Sequence, residues 1–226
     1  MRPYVLSSVA VSIDGYIDDT SPDRLLLSNA ADFDRVDEER AGCDAILIGA
    51  ETMRRDNPHL LVNSPERRSS RVARGQSEFP LKITVTRSGK LDPALRFWHC
   101  GGAKLVYTTD AGAVVARESV GSLATVHALG SAIDFGSLLD DLGARGVRRL
   151  MVEGGGQMHT EFLSAGLVDE IQLAIAPLVV GNEGAPRFLH PANYPGGPTH
   201  RMHLEEVVQV GDVVVLRYLP TPTQRD

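Results

Sequence analysis

The chain has 226 residues, of which 42% are hydrophobic and 23% charged, and its formal net charge is −6. The length and composition predict one globular domain over residues 1–226, and the negative charge argues against non-specific binding to nucleic acid. Cys43 and Cys100 form neither a metal motif nor a disulfide framework, so we expect no metal site. No apolar run reaches the roughly 18 residues that span a bilayer, and the first one is interrupted too early for a secretory signal, so we expect a cytoplasmic protein.

Strand and helix patterns alternate along most of the chain. Apolar runs between turn residues predict strands over 3–13, 45–48, 82–86, 104–108, 148–152 and 170–178. Helices are predicted from a Ser28-Asn29 cap to about Ala41, between Asp134 and Gly146, and over 158–165. Gly211-Asp212 joins the apolar segments 204–210 and 213–219, as in an antiparallel hairpin. The sequence therefore predicts an α/β fold whose mostly parallel central sheet is flanked by helices and ends in that hairpin.

The segment 64–80 has few apolar residues and carries four arginines, at positions 67, 68, 71 and 74. We predict a flexible, basic surface loop here. A second hypothesis is a flap that closes over an anionic ligand, as loops beside α/β active sites do. These arginines, together with Arg24 and Arg54, are candidates for binding a phosphate, because a guanidinium can donate two parallel hydrogen bonds.

A strand runs directly into Glu153-Gly154-Gly155-Gly156 and then into a helix. Such a turn lets the backbone approach a pyrophosphate, which the N–H groups of the helix N-terminus can bind. The third glycine of the usual dinucleotide fingerprint is replaced by His159. A plain tight connection is the alternative interpretation of the glycines. Glu153 either faces a ligand or caps neighbouring backbone.

Two further segments follow predicted strands. In the segment 49–58, Thr52 and Asp56 lie four residues apart and so on one face of a short helix. They would contact a nicotinamide ribose or a substrate, or would only cap the helix. The segment 12–16 contains Asp14-Gly15 and predicts a turn. All three segments follow the carboxyl ends of strands, where open α/β sheets bind ligands.

The order of these motifs resembles the reductase domain of riboflavin biosynthesis over about residues 3–219. The matching segments are 12–15, 40–47, 49–60, 153–156, 166–170 and 176–177. The resemblance implies a dihydrofolate-reductase-like fold, a homodimer, and NADPH-dependent reduction of the ribosylamino group of a pyrimidine 5′-phosphate to a ribitylamino group. Because the chain carries no deaminase motif, it resembles the standalone form of the reductase.

The resemblance also implies roles for individual residues. Cofactor contacts are expected from eight positions: Thr52, Asp56, Thr86, Arg87, Gly154, Gly155, Gly156 and Gln157. Substrate contacts are expected from Arg40, Glu153, Arg24, Leu60 and Asn63. Glu153 would orient the substrate or assist proton transfer, and Asp56 would position the nicotinamide. A cation at Arg87 favours NADPH over NADH.

The chain departs from the family pattern at three places. Tyr16 stands where the family has a basic residue, Arg24 begins a segment where it has Ser-x-Trp, and Asn63 stands where it has an arginine. These departures leave open which pyrimidine is bound. They also leave open a reductase of another pterin-like or heterocyclic substrate and a catalytically silent nucleotide-binding protein. Dihydrofolate reduction itself is disfavoured by the Glu-Gly-Gly-Gly motif.

Overall fold

The computed structural model describes residues 1–198 and 200–220. The chain forms two compact units. The first comprises Met1–Pro3 and Asp37–Met151, and the second comprises Tyr4–Val36 and the described residues from Val152 onward. The single domain over 1–226 stays a prediction.

Nine strands and seven helices occur in the described residues. The strands are β1 (Tyr4–Ser12), β2 (Ala45–Gly49), β3 (Leu81–Val85), β4 (Lys104–Thr108), β5 (Thr125–Ala128), β6 (Arg149–Gly154), β7 (Glu170–Ala176), β8 (His203–Val210) and β9 (Val213–Leu219). The helices are α1 (Ala30–Gly42), α2 (Ala50–Asp56), α3 (Pro65–Ala73), α4 (Arg96–His99), α5 (Asp110–Val120), α6 (Phe135–Ala144) and α7 (Gly156–Ser164). Within the described residues no helix is long and apolar enough to cross a membrane.

The first unit contains four parallel strands in the order β5-β4-β3-β2. Every residue of β2 is buried, as expected for a parallel strand covered on both faces. The register aligns Gly49 with Val85, and Val85 with Tyr107. The carboxyl ends of these strands therefore lie side by side. They lead into α2 after β2, into the turn at Thr86 after β3, and into α5 after β4.

The second unit contains strands in the order β1-β7-β9-β8. β1 and β7 are parallel, with Ser12 opposite Ala176, and β9 is antiparallel to both β7 and β8. The predicted C-terminal hairpin is thereby confirmed. The predicted helix cap is confirmed as well, because Asn29 Oδ1 accepts from the N–H of Asp32 at 2.9 Å. The amide of Asn29 donates to the carbonyl of Val210 at 2.8 Å, next to the hairpin turn. The remaining strand, β6, has residues in both units.

The prediction of a loop over 64–80 is wrong for residues 65–73, which form α3. The Ser64 side chain accepts from the N–H of Arg67, and Pro65 takes the first helical position, so two standard helix-start signals are present. Arg71 is 2% exposed and donates to the carbonyls of Ala41 and Cys43, which excludes it from a surface flap. The arginines interrupt the apolar pattern that would indicate a helix, although one of them, Arg71, is buried in the core of this region.

Candidate functional site

The first unit places two predicted cofactor segments at one edge of its sheet. α2 carries Thr52 and Asp56 and begins where β2 ends, while Thr86 and Arg87 follow the end of β3, which pairs with β2. Thr86 is buried and Arg87 is exposed. The α2 helix ends at Asn57, which has a left-handed φ of 42°. Because the two strands are register-aligned, this arrangement agrees with a shared ligand at their carboxyl ends.

The turn that presents Arg87 is fixed by its backbone. Its carbonyl accepts from Thr109 Oγ1 at 3.0 Å, and the same oxygen of Thr109 accepts from the N–H of Gly112, at the start of α5. A Cβ atom at Gly112 would lie 2.5 Å from the Arg87 carbonyl, so only glycine permits this approach. The side chain of Arg87 makes no polar contact with any described residue. The result is an exposed cation on a rigid turn.

Two predicted substrate residues of the first unit, Leu60 and Asn63, lie on the loop of residues 57–64, and the third, Arg40 of α1, contacts this loop. Leu60 is 4% exposed and has a φ of 47°, a conformation that costs about 1–3 kcal/mol for a residue with a side chain. Arg40 donates to the carbonyl of Leu61 at 3.3 Å, and the N–H of Asn63 donates to the carboxylate of Asp37. The structure therefore places Arg40 against the loop that carries Leu60 and Asn63.

A buried lysine donates a hydrogen bond to the backbone of the same loop. Lys82 Nζ donates to the carbonyls of His59 at 2.7 Å and Phe97 at 2.5 Å, and to that of Cys100 at 3.2 Å. Burial lowers the pKa of Lys82 to about 8. The strained backbone at Leu60 is thus next to a carbonyl with a charged donor. Sequence reasoning missed Lys82, because a lysine in a strand ordinarily indicates an exposed position.

In the second unit, the turn after β1 is tied to the segment after β7. Ser12 Oγ donates to Asp14 at 2.6 Å, and the N–H groups of Val180 and Gly181 donate to the same carboxylate at 3.1 Å and 2.8 Å. These hydrogen bonds, the one from Ser12 first, lower the pKa of Asp14 to about 2. Asp14 therefore stays ionised and serves to fix the turn.

Tyr16, in the same turn, is covered by an arginine that sequence reasoning missed. Arg187 Nη2 donates to the Tyr16 hydroxyl at 2.8 Å, Nη1 donates to the carbonyl of Asp14 at 3.2 Å, and the guanidinium carbon lies 4.2 Å from the centre of the tyrosine ring. The backbones of Tyr16 and Arg187 also form an isolated antiparallel bridge. A lone arginine in a loop 171 residues away gave no signal in the sequence.

A model of the RibD C-terminal domain family matches residues 3–216. This chain belongs to the RibD C-terminal domain family. It is 32% identical to the 2,5-diamino-6-ribosylamino-4(3H)-pyrimidinone 5′-phosphate reductase of Archaeoglobus fulgidus, covering 94% of this chain and 95% of that protein. It is 31% identical to the reductase of the same name from Methanothermobacter thermautotrophicus, over 82% of each. The solved structure of Acinetobacter baumannii RibD superposes with a TM-score of 0.78 at 22% identity, covering 98% of this chain and 59% of that one.

These comparisons confirm the predicted fold class. The RibD C-terminal domain has the α/β architecture that the alternating pattern and the final hairpin predict, and the dihydrofolate-reductase-like fold that the resemblance implies. The family model extends over residues of both compact units.

Two glycines of the turn between β6 and α7 are required by the structure of this RibD domain. Gly155 has a φ of 86° and is the N-cap of α7, which has no side-chain cap. A Cβ atom at Gly156 would lie 2.3 Å from the carbonyl oxygen of Arg187. Gln157 is exposed and Glu153 half-buried. The tight-connection interpretation thus explains Gly155 and Gly156, and the binding of a pyrophosphate by this turn stays a prediction.

Arg24 belongs to the second unit together with Glu153 and the glycine turn. Its loop is fixed by Asp18, which accepts from the N–H of Leu25 at 3.0 Å. The side chain of Arg24 is exposed and makes no polar contact with a described residue. Arg24 is therefore accessible to a ligand, whereas Arg54 pairs with Glu51 at 2.6 Å.

Proposed function

We propose that this RibD domain reduces the ribosylamino group of a pyrimidine 5′-phosphate to a ribitylamino group. The observation that carries the proposal is the 32% identity to a reductase named for such a substrate, over 95% of that protein's length. The reaction adds one hydride and one proton across the carbon–nitrogen double bond of the ring-opened sugar. The two relatives reported above are both named for a pyrimidinone 5′-phosphate, which favours this function over a pterin-like substrate and over a silent nucleotide-binding protein.

We propose NADPH as the hydride donor. The first unit offers a fitting place for the phosphate that distinguishes NADPH from NADH, because Arg87 is exposed on a rigid turn and has no carboxylate partner among the described residues. Thr52, Asp56 and Thr86 are the other cofactor residues proposed in this unit, and Gly154–Gln157 in the second. When bound, the reduced nicotinamide supplies the hydride.

The chain's own residues have the remaining tasks of orienting the substrate and moving a proton. We propose that Glu153, half-buried at the end of β6, orients the substrate or delivers the proton to its nitrogen. Asp56 positions the nicotinamide of the cofactor. The substrate is contacted by Arg40, Leu60, Asn63 and Arg24. The 57–64 loop suits such a role because its backbone is held by Arg40, Asp37 and Lys82 before any ligand arrives.

The test is to incubate the protein with NADPH and each candidate substrate, the diaminopyrimidinone or the aminouracil ribosylamino 5′-phosphate, and to follow the absorbance of the reduced nicotinamide. We expect oxidation of NADPH with one of them, loss of turnover in Glu153→Gln at the end of β6, and normal turnover in Glu161→Gln, a matched change on α7. Absence of oxidation with both substrates would overturn the proposal.

We further propose a cytoplasmic homodimer assembled through the hairpin of β8 and β9. β8 lies at the end of the strand order of its unit. Leu204 and Val207 are 45% and 57% exposed, and Val208 and Val214 are each 38% exposed. An apolar edge strand of this kind is ordinarily covered by a partner.

A further inference from the structure

Arg187 is an exposed cation whose orientation is fixed by the turn after β1. Its guanidinium lies 4.2 Å from the centre of the Tyr16 ring and donates to the Tyr16 hydroxyl and to the carbonyl of Asp14. Tyr16 is 8% exposed, and its own N–H donates to Ser12 Oγ at 3.0 Å, so the ring under the guanidinium is itself fixed. The side chain is therefore preorganised without a ligand.

The charge of Arg187 is not neutralised by the described part of the protein. No described carboxylate lies within ion-pair distance of it. Its side chain donates two hydrogen bonds to described residues, one to the carbonyl of Asp14 and one to the hydroxyl of Tyr16. A guanidinium has five N–H donors. Contact with the face of the tyrosine ring leaves the edge of the guanidinium available, and this edge matches the oxygens of a phosphate.

The contacts of Arg187 favour a phosphate beside the turn after β1 over a pyrophosphate on the glycine turn. Its side chain points to the turn that follows β1, whereas its backbone presents a carbonyl oxygen, not an N–H group, toward Gly156. A pyrophosphate on the glycine turn would therefore gain no donor from the Arg187 backbone. The segment is anchored on both sides of Arg187, because Ile17 donates to the Pro186 carbonyl and Phe188 donates to the Gly15 carbonyl, at 2.9 Å and 3.2 Å.

We infer that Arg187, held by Tyr16, binds the phosphate group of the substrate and sets the preference for a phosphorylated pyrimidine. The identity of that substrate rests on the proposed function. The same guanidinium chemistry could instead serve a phosphate of the dinucleotide, so the experiment has one arm for each source.

The first test is steady-state kinetics. In Arg187→Ala we expect the KM for the pyrimidine phosphate to rise about tenfold or more, because hydrogen bonds between charged groups are lost, with the KM for NADPH changed less than about twofold. Arg187→Lys should recover part of the loss, and Tyr16→Phe should raise the KM by a few-fold, since the ring remains but the hydroxyl does not. Arg148→Ala, which changes another exposed arginine just before β6, is the matched control. An unchanged substrate KM, or a rise confined to NADPH, would overturn the inference.

The second test does not need turnover. Ribose 5-phosphate and ribose are titrated separately into isotope-labelled protein, and the arginine side-chain Nε–H signal that is missing from Arg187→Ala is followed by NMR. The inference requires this signal to move with ribose 5-phosphate and not with ribose. If it moves while the wild-type protein oxidises no NADPH, the proposed function fails and the inference stands; if it does not move, the inference fails whatever the activity.

Discussion

At the scale of single residues, His159 combines complete burial with a neutral hydrogen-bonding partner. Its Nδ1 lies 2.8 Å from Ser7 Oγ, its ring packs edge-on against Phe188 at 5.2 Å between centres, and its Nε2 has no partner among the described residues. Burial lowers the pKa of His159 to about 4. The imidazole is therefore neutral in the folded state at neutral pH.

This pKa makes the unfolding free energy depend on pH. Between pH 6.5, the ordinary histidine pKa, and pH 4, the unfolded state binds the proton and the folded state does not, so stability falls as the pH is lowered. From pH 7 to pH 5 the loss due to this residue is about 2 kcal/mol. Urea denaturation of His159→Gln should show a smaller loss of unfolding free energy between pH 7 and pH 5 than the wild type shows. The variant His99→Gln, an exposed control, should lose as much as the wild type. Equal pH dependence in wild type and His159→Gln would contradict the assignment.

Arg87 gives a second prediction at this scale. Arg87→Ala should reduce the preference for NADPH over NADH by about 2 kcal/mol, or roughly thirtyfold, because hydrogen bonds to a charged phosphate are lost. The dissociation constants of both dinucleotides can be measured by calorimetry. Arg117→Ala removes an exposed arginine of α5 as a control. If Arg87→Ala weakened both dinucleotides equally, the residue would not distinguish their phosphates.

At the scale of elements, Lys82 connects β3 to the loop that contains Leu60 and to α4. Its ammonium lies 4.4 Å from the centre of the Phe97 ring. It donates to the carbonyl of His59 in the 57–64 loop and to the carbonyl of Phe97 in α4. One side chain thus satisfies backbone groups of two irregular segments. Such a contact stabilises a backbone conformation that the loop sequence does not favour.

Lys82→Met should therefore make the backbone of the 57–64 loop less stable. We expect the unfolding free energy to fall by about 2 kcal/mol, because buried carbonyls lose their donor, and hydrogen exchange at residues 57–61 to accelerate. Lys104 is the register partner of Lys82 on β4, is half-buried and makes no side-chain hydrogen bond with a described residue. Lys104→Met should cost less than about 0.5 kcal/mol. Equal losses in the two variants would refute the specific role of Lys82.

At the scale of the whole molecule, the proposed dimer predicts how the hairpin responds to charge. Val207→Glu places a carboxylate at a 57% exposed position of β8 and should give a monomer by light scattering at micromolar concentration. Val72→Glu changes a valine of similar exposure, 56%, on α3 and should leave the dimer intact. A wild-type monomer, or a Val207→Glu dimer, would exclude this interface.

The sequence by itself determined the elements whose signals are local. Buried apolar runs specified β2, β3 and β4, Asn29 specified the start of α1, and Gly211-Asp212 specified the hairpin. It did not reveal α5 or β5, because α5 carries charged residues among its apolar ones and the four residues of β5 contain no apolar run. Helix α3 was missed although Ser64 and Pro65 are local signals, since its arginines indicated a loop.

Only the tertiary structure decided what individual candidate residues contact. Gly156 is glycine because the Arg187 carbonyl approaches it, and Tyr16 is covered by a cation from residue 187. Arg71 looks like a surface arginine in the sequence but donates to the carbonyls of Ala41 and Cys43, at and just after the C-terminal end of α1. The physical reason is the same in each case: strand and helix preferences depend on neighbours within a few residues, whereas these contacts join residues about 30 to 170 positions apart, and no local pattern encodes them.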